Sequence, residues 1–265
     1  MFDKLRIRIH DKLHSVVDDA VRVRLDARIE QHEAWMQGQV DRILDTVDSA
    51  DERSRRDIFQ AAEREAVRTS AQFAYEHFPT ATTYHDKHET LRHAVKAAPA
   101  TGLALEFGVY SGTTLGIIAG LRPEAGSVYG FDSFEGLPED WRSTFPAATF
   151  ALEALPTVPG AELVVGWFDD TLPKFLHEHN GHIAFLHVDG DLYSSAKTVL
   201  DLCGPRLVEG SVVIFDEYFN YPGWEQHEHR AWEEYVARTG TEFVYEAYTA
   251  DDEQVAMRIT GTTRG

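Results

Sequence analysis

The sequence of 265 residues has very little cysteine and no long hydrophobic run. Its single cysteine, Cys203, excludes an internal disulfide and any zinc or iron–sulfur site that needs several thiolates. No apolar run reaches the roughly 18–20 residues that cross a bilayer, and no apolar segment near the start precedes a small-residue cleavage site. We therefore expect a cytoplasmic protein with no membrane partner, because unpaired cysteines are ordinary in reducing compartments.

Basic residues are also scarce. The chain has 25 Lys and Arg against 44 Asp and Glu, which gives a formal net charge of -19. A surface of this sign repels the phosphates of DNA and RNA, so we expect no nucleic-acid partner. Hydrophobic residues, at 43%, and charged residues, at 26%, lie in the range of folded globular proteins.

Glycine and proline are almost absent from residues 1–75. This segment has one glycine, Gly38, and no proline, whereas all ten prolines and the other eighteen glycines follow it. Because these two residue types interrupt helices, their absence predicts long helices. We expect residues 1–75 to form a helical extension and residues 76–265 to form a separate domain.

Apolar residues in the extension recur three or four residues apart, from Leu5 to Ile29 and again from Val40 to Val47. This spacing predicts two or three helices, with Ser49 or Asp51 capping a last helix that runs to about Phe73. Such helices cannot bury all their apolar residues among themselves, so we expect them to cover a second copy in a homo-oligomer. The alternative is a monomer whose helices close over a binding crevice.

Short apolar runs alternate with helical patterns from about residue 103 onward. This alternation predicts an α/β domain with a doubly wound, mostly parallel, Rossmann-like sheet of seven strands. No helical pattern separates the last two runs, which predicts an antiparallel hairpin. The predicted strands are residues 103–107, 127–132, 161–165, 183–189, 211–216, 242–247 and 255–260, and the predicted helices are residues 113–121, 171–179, 195–203 and 225–238.

Ligands of such sheets bind beyond the carboxyl ends of the strands. The first run leads there into EFGVYSGTT (106–114), a turn whose two glycines are four residues apart. This spacing is not the G-x-G-x-x-G of a dinucleotide site, and Glu106 would attract an ammonium group and repel a pyrophosphate. Ser111 or Thr113 suits the cap of the next helix. A purely structural turn is the other interpretation of the glycines.

The second and third runs end in residues that suit a nucleoside. Asp132 stands where an acid accepts the two ribose hydroxyls, although Asp132 or Ser133 also suits a helix cap. Trp167 follows the third run and suits the wall of an adenine pocket, or else the hydrophobic core.

Acidic residues follow the fourth and fifth runs. If the strands are neighbours, their carboxylates converge at one edge of the crevice, and like charges gathered there need a cation. Oxygen ligands suit Mg²⁺ or Ca²⁺. Solvated loop acids and helix caps are the alternative, and His187 is either a hydrogen-bonded core residue or a base. The four acids are Asp189, Asp191, Asp216 and Glu217.

Five strings in this order resemble the class I S-adenosylmethionine (SAM) methyltransferases, and more narrowly the macrocin O-methyltransferase (TylF-type) family, which methylates sugar hydroxyls of natural products. The resemblance covers residues 85–260, approximately, and FPTATTYHDK (78–87) resembles the lead-in of relatives within this group. The strings are EFGVYSGTTL, FDSFEGLPE, GWFDDTLP, HVDGDLYSS and IFDEY.

The resemblance implies roles for individual residues. The glycine turn would hold the methionine part of SAM with Glu106 near its ammonium group, and Asp132 would hold the ribose. Asp191 would be the general base, with His187 as a second candidate for a catalytic residue. The cofactor-binding residues would be Glu106, Gly108, Tyr110, Ser111, Thr113, Asp132, Ser133, Phe134, Gly166, Trp167 and Asp189, and the Mg²⁺ ligands would be Asp189, Asp216 and Glu217.

One departure bears on the metal. The family usually has two adjacent aspartates before the tyrosine, where this chain has Asp216 and Glu217. Glutamate also binds Mg²⁺ but reaches one methylene further, so metal dependence stays open.

We therefore expect a SAM-dependent O-methyltransferase that acts on a hydroxyl of a sugar or other small natural product, most simply a glycoside, with or without help from Mg²⁺. Two alternatives remain. A Rossmann-type NAD-dependent oxidoreductase or sugar-nucleotide enzyme is disfavoured by the glycine spacing. A non-catalytic assembly protein would use the helical extension alone.

Overall fold

A computed structural model of the chain describes residues 2–123, 128–142 and 145–262, and its side chains from residue 5 onward. The chain divides into two compact units, residues 1–61 and residues 62–265. We call them the N-terminal unit and the sheet unit. The division lies 14 residues earlier than the predicted boundary between residues 75 and 76.

The N-terminal unit is dominated by one helix, α1 (Phe2–Arg56). The predicted interruption at Ser49 or Asp51 is wrong, because no glycine or proline stands there and Arg55 forms an ion pair with Asp51 one turn earlier. The helix breaks at Asp57 instead. Its carboxylate Oδ1 accepts the backbone N–H groups of Phe59 and Gln60 at 2.9 and 3.2 Å and so caps the next helix. In the described part of the chain, no helix is both long enough and apolar enough to cross a membrane.

The second helix, α2 (Ile58–His77), joins the sheet unit through its later turns. Ser70 is buried there, and its Oγ accepts the backbone N–H of Asn220 at 2.8 Å. Thr69 Oγ1 accepts the indole N–H of Trp224 at 3.2 Å. These contacts explain why the sheet unit begins inside α2, since a helix face that is hydrogen-bonded into a domain belongs to that domain.

In the residues that the structure describes, the sheet has eight strands, numbered along the chain and arranged in the order β1-β7-β8-β6-β5-β2-β3-β4. Each of the seven predicted strands is present, and the predicted antiparallel hairpin is the pair β7 and β8. The first residue of the predicted strand 127–132, Ser127, lies outside the described residues. The additional strand β1 pairs in parallel with β7 at the edge and is only three residues long, too short to show a period. The strands are β1 (Thr82–Tyr84), β2 (Leu103–Phe107), β3 (Val128–Asp132), β4 (Glu162–Val165), β5 (Ile183–Val188), β6 (Leu207–Phe215), β7 (Glu242–Thr249) and β8 (Val255–Gly261).

Helices cover both faces of the sheet, as a doubly wound fold requires. Successive residues of β2 point to opposite faces. Leu105 and Phe107 enter one buried cluster, which also holds apolar residues of α5, α6 and α7. Ala104 enters a second cluster with residues of α3 and α4. These helices are α3 (Lys87–Ala97), α4 (Thr113–Leu121), α5 (Phe168–Glu178), α6 (Tyr193–Cys203) and α7 (Glu228–Thr239), with 3₁₀ turns at Gly204–Arg206 and Trp224–Gln226.

Candidate active site

A cavity of about 720 Å³ opens beyond the carboxyl ends of β2, β3, β5 and β6. This volume falls within the ~300–1,000 Å³ of small-molecule sites, and this edge is where open parallel sheets bind ligands. Nine of the predicted site residues line it: Gly108, Tyr110, Asp132, Ser133, Trp167, Asp189, Asp191, Asp216 and Glu217. The other predicted residues adjoin the same loops without lining the cavity: Glu106, Ser111, Thr113, Phe134, Gly166 and His187.

Gly108 brings the ends of β2 and β5 into direct contact. Its φ is +95°, and a Cβ at this position would lie 1.8 Å from the carbonyl oxygen of Asp189. The two strand ends are also joined by the backbone N–H of Asp189, which donates to the carbonyl of Phe107 at 2.8 Å. A residue with a side chain would push these strand ends apart, so the glycine sets the floor of the cavity.

Asp132 ties the glycine turn to the loop after β3. Its Oδ2 accepts the backbone N–H groups of Val109 and Tyr110 at 2.9 and 2.8 Å. Its Oδ1 accepts the backbone N–H of Phe134 at 2.7 Å. A carboxylate has about four acceptor positions, so these bonds leave capacity toward the cavity. The carboxylate therefore has a structural task in addition to the predicted one.

Glu106 and His187 form a buried pair behind the cavity. The relative exposures of their side chains are 0% and 1%, and His187 Nδ1 lies 2.8 Å from Glu106 Oε1. The Glu106 carboxylate thus contacts His187 rather than the cavity. Burial by itself would lower the pKa of His187, but the carboxylates of Asp216 and Glu106 on its two sides raise it to about 10.

Asp191 lies on the cavity wall in a strained backbone conformation. Its φ is +60°, a left-handed value that aspartate tolerates better than most residues. The residue is 8% exposed, and burial together with the charge of Asp216 raises the pKa of its carboxyl group to about 7. A carboxylate in such surroundings accepts a proton more readily near neutral pH than an ordinary aspartate does.

Three groups at the strand ends are close enough to hold a metal ion. Ligand atoms of His187, Asp189 and Asp216 lie within 4.8 Å of one another. Burial raises the pKa of Asp189, and the charge of Asp216 raises it further. Burial would also raise the pKa of Asp216, but His187 and Lys87 hold it below its usual range.

Glu217 completes the acidic cluster. Among the described residues, its Oε2 is buried without a hydrogen-bond partner, and burial raises the pKa of its carboxyl group. Its backbone N–H donates at 3.0 Å to Oε2 of Glu228, a fully buried acid at the start of α7. The carboxylate oxygens of Asp189 and Asp216 suit a Mg²⁺ ion, whereas Glu217, a predicted ligand, is not among the described groups whose ligand atoms lie within 4.8 Å of one another.

Sequence reasoning missed several residues of the site. Glu228 stands in a helical pattern that hides its burial. Arg142 lies in a loop without periodicity, where its guanidinium carbon is 3.8 Å from the ring centres of Trp141 and Tyr221 and where it pairs with Glu253. Lys87 is the last residue of the string FPTATTYHDK (78–87), to which the sequence gives no role in the site. In the structure it lines the cavity and lies 3.0 Å from Asp216.

The strand order, the glycine turn and the acid at the end of β3 are arranged as the sequence predicts for the Rossmann-like class I methyltransferase fold. Comparisons with known proteins agree. Residues 105–218 match a protein family described as a methyltransferase domain. The chain is also 26% identical to a crystal structure of a calicheamicin methyltransferase, with a TM-score of 0.51, over 65% of this chain and 77% of that one.

Two curated relatives are O-methyltransferases by name. One is the 8-demethyl-8-(2,3-dimethoxy-alpha-L-rhamnosyl)-tetracenomycin-C 4'-O-methyltransferase of Streptomyces olivaceus, 45% identical over 53 residues, which are 20% of this chain and 19% of the relative. The other is the mycinamicin III 3''-O-methyltransferase of Micromonospora griseorubida, 29% identical over 157 residues, or 48% of this chain and 61% of the relative. The chain thus spans less than two thirds of either relative. Residues 105–218 therefore match a methyltransferase domain, and the predicted fold class is confirmed.

Proposed function

We propose that this protein is a SAM-dependent O-methyltransferase that methylates a hydroxyl of a sugar or other small natural product. The observation that carries the proposal is the position of Asp191, a buried carboxylate on the wall of the same cavity as Gly108 and Asp132. The rhamnosyl group in the name of one curated relative supports the choice of a sugar hydroxyl.

The cofactor would lie between the glycine turn and the end of β3. Gly108 and Tyr110 would contact its methionine part, Asp132 and Ser133 its ribose, and Trp167 its adenine; all five line the cavity. Four neighbours would shape the same loops from behind: Ser111, Thr113, Phe134 and Gly166. Glu106 would act at a distance, because its carboxylate contacts His187. SAM supplies an electrophilic methyl group on a sulfonium.

The chain's own contribution is to remove a proton and to orient the acceptor. Asp191 would accept the proton of the acceptor hydroxyl while the oxygen bonds to the methyl carbon and the carbon–sulfur bond breaks. The products are then a methyl ether, S-adenosylhomocysteine and protonated Asp191. Because this is an in-line displacement, positioning of the two reactants supplies much of the rate, and a general base contributes typically ~10²–10⁴-fold.

His187 and the remaining acids would support this step. The imidazole of His187 does not line the cavity and lies 3.7 Å from Asp216 through Nε2, so we assign it to positioning rather than to proton transfer. Asp189, Asp216 and Glu217 would hold Mg²⁺, which would favour loss of a proton from a bound hydroxyl. Glu217 Oε2, buried and without a partner among the described residues, supports this assignment.

Aromatic residues would receive the acceptor. Tyr110, Trp141, Phe145 and Phe150 line the cavity, and adjacent rings among them contact one another at 5.2–5.7 Å. Aromatic faces suit the apolar faces of a sugar or an aglycone. Among the described residues, nine acids line the cavity but only two bases, Lys87 and Arg142, and both bases are paired with acids. An uncharged glycoside therefore suits this cavity better than a phosphorylated acceptor.

The test is methyl transfer itself. The full chain would be incubated with SAM carrying an isotopically labelled methyl group and a library of neutral glycosides, and products would be identified by mass spectrometry and NMR. We expect a labelled methyl ether with wild-type protein and a strongly reduced yield with Asp191→Asn. Label on nitrogen or carbon, or no transfer to any member by protein that binds SAM, would contradict the proposal.

We also propose that the N-terminal unit binds a second copy of the chain. Its apolar side chains are exposed along α1, for example Leu13 at 60% and Leu25 at 56%. Exposed apolar side chains in this number favour an interaction surface, and symmetric homo-oligomers are common. Light scattering on the full chain would test the proposal, and a monomeric mass would contradict it.

A further inference from the structure

The acidic cluster already has a cation of its own. α3 begins at Lys87, and Asp86 caps it by accepting the backbone N–H of His88 at 2.8 Å. The Lys87 ammonium lies 3.0 Å from Asp216 Oδ2. The side chain of Asp216 is only 8% exposed, so the ammonium is paired with a carboxylate that has little contact with water.

Asp216 has a basic group beside each of its oxygens. Oδ2 faces the Lys87 ammonium, and Oδ1 lies 3.7 Å from Nε2 of His187. The other ring nitrogen of His187 lies 2.8 Å from Glu106. The four side chains thus alternate between basic and acidic at the carboxyl edge of the sheet. Of the two oxygens of Asp216, the one paired with Lys87 faces a full positive charge.

A divalent cation that binds Asp216 would be repelled by the positive charge of Lys87. It would lie beside the Lys87 ammonium, and like charges at such separations repel strongly where water is largely excluded. The ion would bind with full strength only when the ammonium leaves Asp216. The side chain of Lys87 is 41% exposed, so it has solvent to move into.

We propose that Lys87 is the internal counter-ion of the acidic cluster and competes with the divalent cation for Asp216, so that it sets the metal affinity of the site. The proposal rests on the proposed function only in taking Asp189, Asp216 and Glu217 as the metal ligands. Removing the Lys87 ammonium should therefore tighten metal binding at Asp216.

The first experiment measures Mn²⁺ binding to the full chain by electron paramagnetic resonance, without SAM and without acceptor. We expect Lys87→Met to bind Mn²⁺ at least tenfold more tightly than wild type, and Lys87→Arg, which keeps the charge, to bind it as weakly as wild type. Lys197→Met is the matched control, because Lys197 forms a surface pair with Asp201 at 2.7 Å. Equal or weaker binding by folded Lys87→Met would overturn the proposal.

A second measurement needs no variant and covers the case in which Lys87→Met does not fold. Wild-type protein would be acetylated by an amine-selective reagent with increasing Mg²⁺ up to high millimolar concentrations, and labelling of each lysine would be read by peptide mass spectrometry. We expect Mg²⁺ to increase labelling of Lys87 several-fold and to leave Lys197 unchanged. Labelling of Lys87 that does not respond to Mg²⁺ would overturn the proposal.

These readouts separate this inference from the proposed function. A protein that shows the expected Mn²⁺ difference but transfers no methyl group to any glycoside would contradict the proposed function and leave the competition intact. A protein that methylates a glycoside while Lys87→Met binds Mn²⁺ no better than wild type would contradict the competition alone.

Discussion

The two units of this chain use apolar residues in opposite ways. In α1 the large apolar side chains are exposed, such as Leu13 and Leu25, although they recur at helical spacing. In the sheet unit the strands place theirs in two buried clusters, and β5 (Ile183–Val188) is buried along its whole length. A periodic pattern therefore predicts the element that forms but not what covers it, because the covering surface is supplied by other parts of the fold or by another molecule.

The acidic residues of the two units also differ in their surroundings. Acids of the N-terminal unit are solvated and pair with neighbours on the helix surface, as Asp51 does with Arg55. Acids at the carboxyl edge of the sheet are buried, and their pKa values move according to their neighbours, upward for Asp191 and downward for Asp216. Perturbed groups in a cleft are candidates for function. Substitutions in the sheet unit should therefore alter binding and chemistry, and substitutions in α1 should alter assembly.

The largest effect is expected at Gly108. A methyl group there would lie 1.8 Å from the carbonyl oxygen of Asp189 in a backbone conformation that disfavours side chains. We expect Gly108→Ala to weaken binding of S-adenosylhomocysteine by about a hundredfold or more, since a displacement of the strand ends misplaces the whole glycine turn. Calorimetric titration measures this. Gly116→Ala is the control, because a Cβ at Gly116 in α4 has nothing within 4 Å; equal loss in both variants would contradict the account.

A comparable effect on rate alone is expected at Asp191. Asp191→Asn keeps the shape of the side chain but cannot take a proton from the acceptor, so kcat should fall by about 10²–10⁴. The affinity for S-adenosylhomocysteine should change little, because the assigned cofactor contacts lie elsewhere on the wall. Steady-state kinetics with the identified acceptor measures kcat, and calorimetry measures the affinity for S-adenosylhomocysteine. Unchanged kcat in the variant would remove Asp191 from the mechanism.

Substitutions in α1 should change the oligomeric state and leave cofactor binding unchanged. The double variant Leu13→Glu and Leu25→Glu places charges on the exposed apolar surface of α1, where we propose a second copy binds. We expect light scattering to show a lower mass than wild type, with cofactor affinity unchanged. Gln31→Glu adds charge to the same helix without removing an apolar contact and should keep the wild-type mass. Loss of cofactor affinity in the double variant would mean that the two units are not independent in function.

The smallest effect concerns the join between α2 and the sheet unit. His229 contacts the rings of Phe73, Tyr218 and Trp224 at 4.7–5.1 Å, and burial, aided by the charge of His77, lowers its pKa to about 4. Between about pH 6.5 and pH 4 the unfolded chain takes up a proton that folded His229 does not, so the free energy of unfolding falls as the pH falls.

Replacing this histidine should remove its part of the pH dependence. His229→Phe keeps a ring among the same neighbours but cannot titrate, and the loss attributable to His229 over this interval, about 2–3 kcal/mol, should be absent. Urea unfolding at several pH values measures it. If the free energy of unfolding depends on pH in the same way in the variant and in wild type, the ring titrates normally in the folded protein.

Sequence reasoning predicted the periodic parts of the fold well and the long-range contacts poorly. The helix predicted at residues 113–121 is α4 with the same bounds, and the predicted antiparallel hairpin is β7 and β8. The strand β1 was missed because three residues carry no period. The helix break at Asp57 was missed because it depends on one carboxylate that caps α2, while Ser49 and Asp51 offered equally good signals.

The candidate site could likewise be predicted only in part from the sequence. Residues that follow a predicted strand, such as Asp132 and Asp191, could be placed at the sheet edge from topology alone. The contact of Glu106 with His187 could not, because neighbouring strands must be registered before one side chain is known to face the other. Lys87 and Glu228 reach the same cluster from helices far away in the sequence, and no local pattern indicates that.

Binding of SAM in the cavity at the carboxyl edge of the sheet can be measured by calorimetric titration of the full chain with S-adenosylhomocysteine and, separately, with NADH. We expect saturable binding of S-adenosylhomocysteine to one site per chain, binding at least tenfold weaker in Asp132→Ala, and no binding of NADH. Folded wild-type protein that binds NADH, or that does not bind S-adenosylhomocysteine, would contradict this expectation.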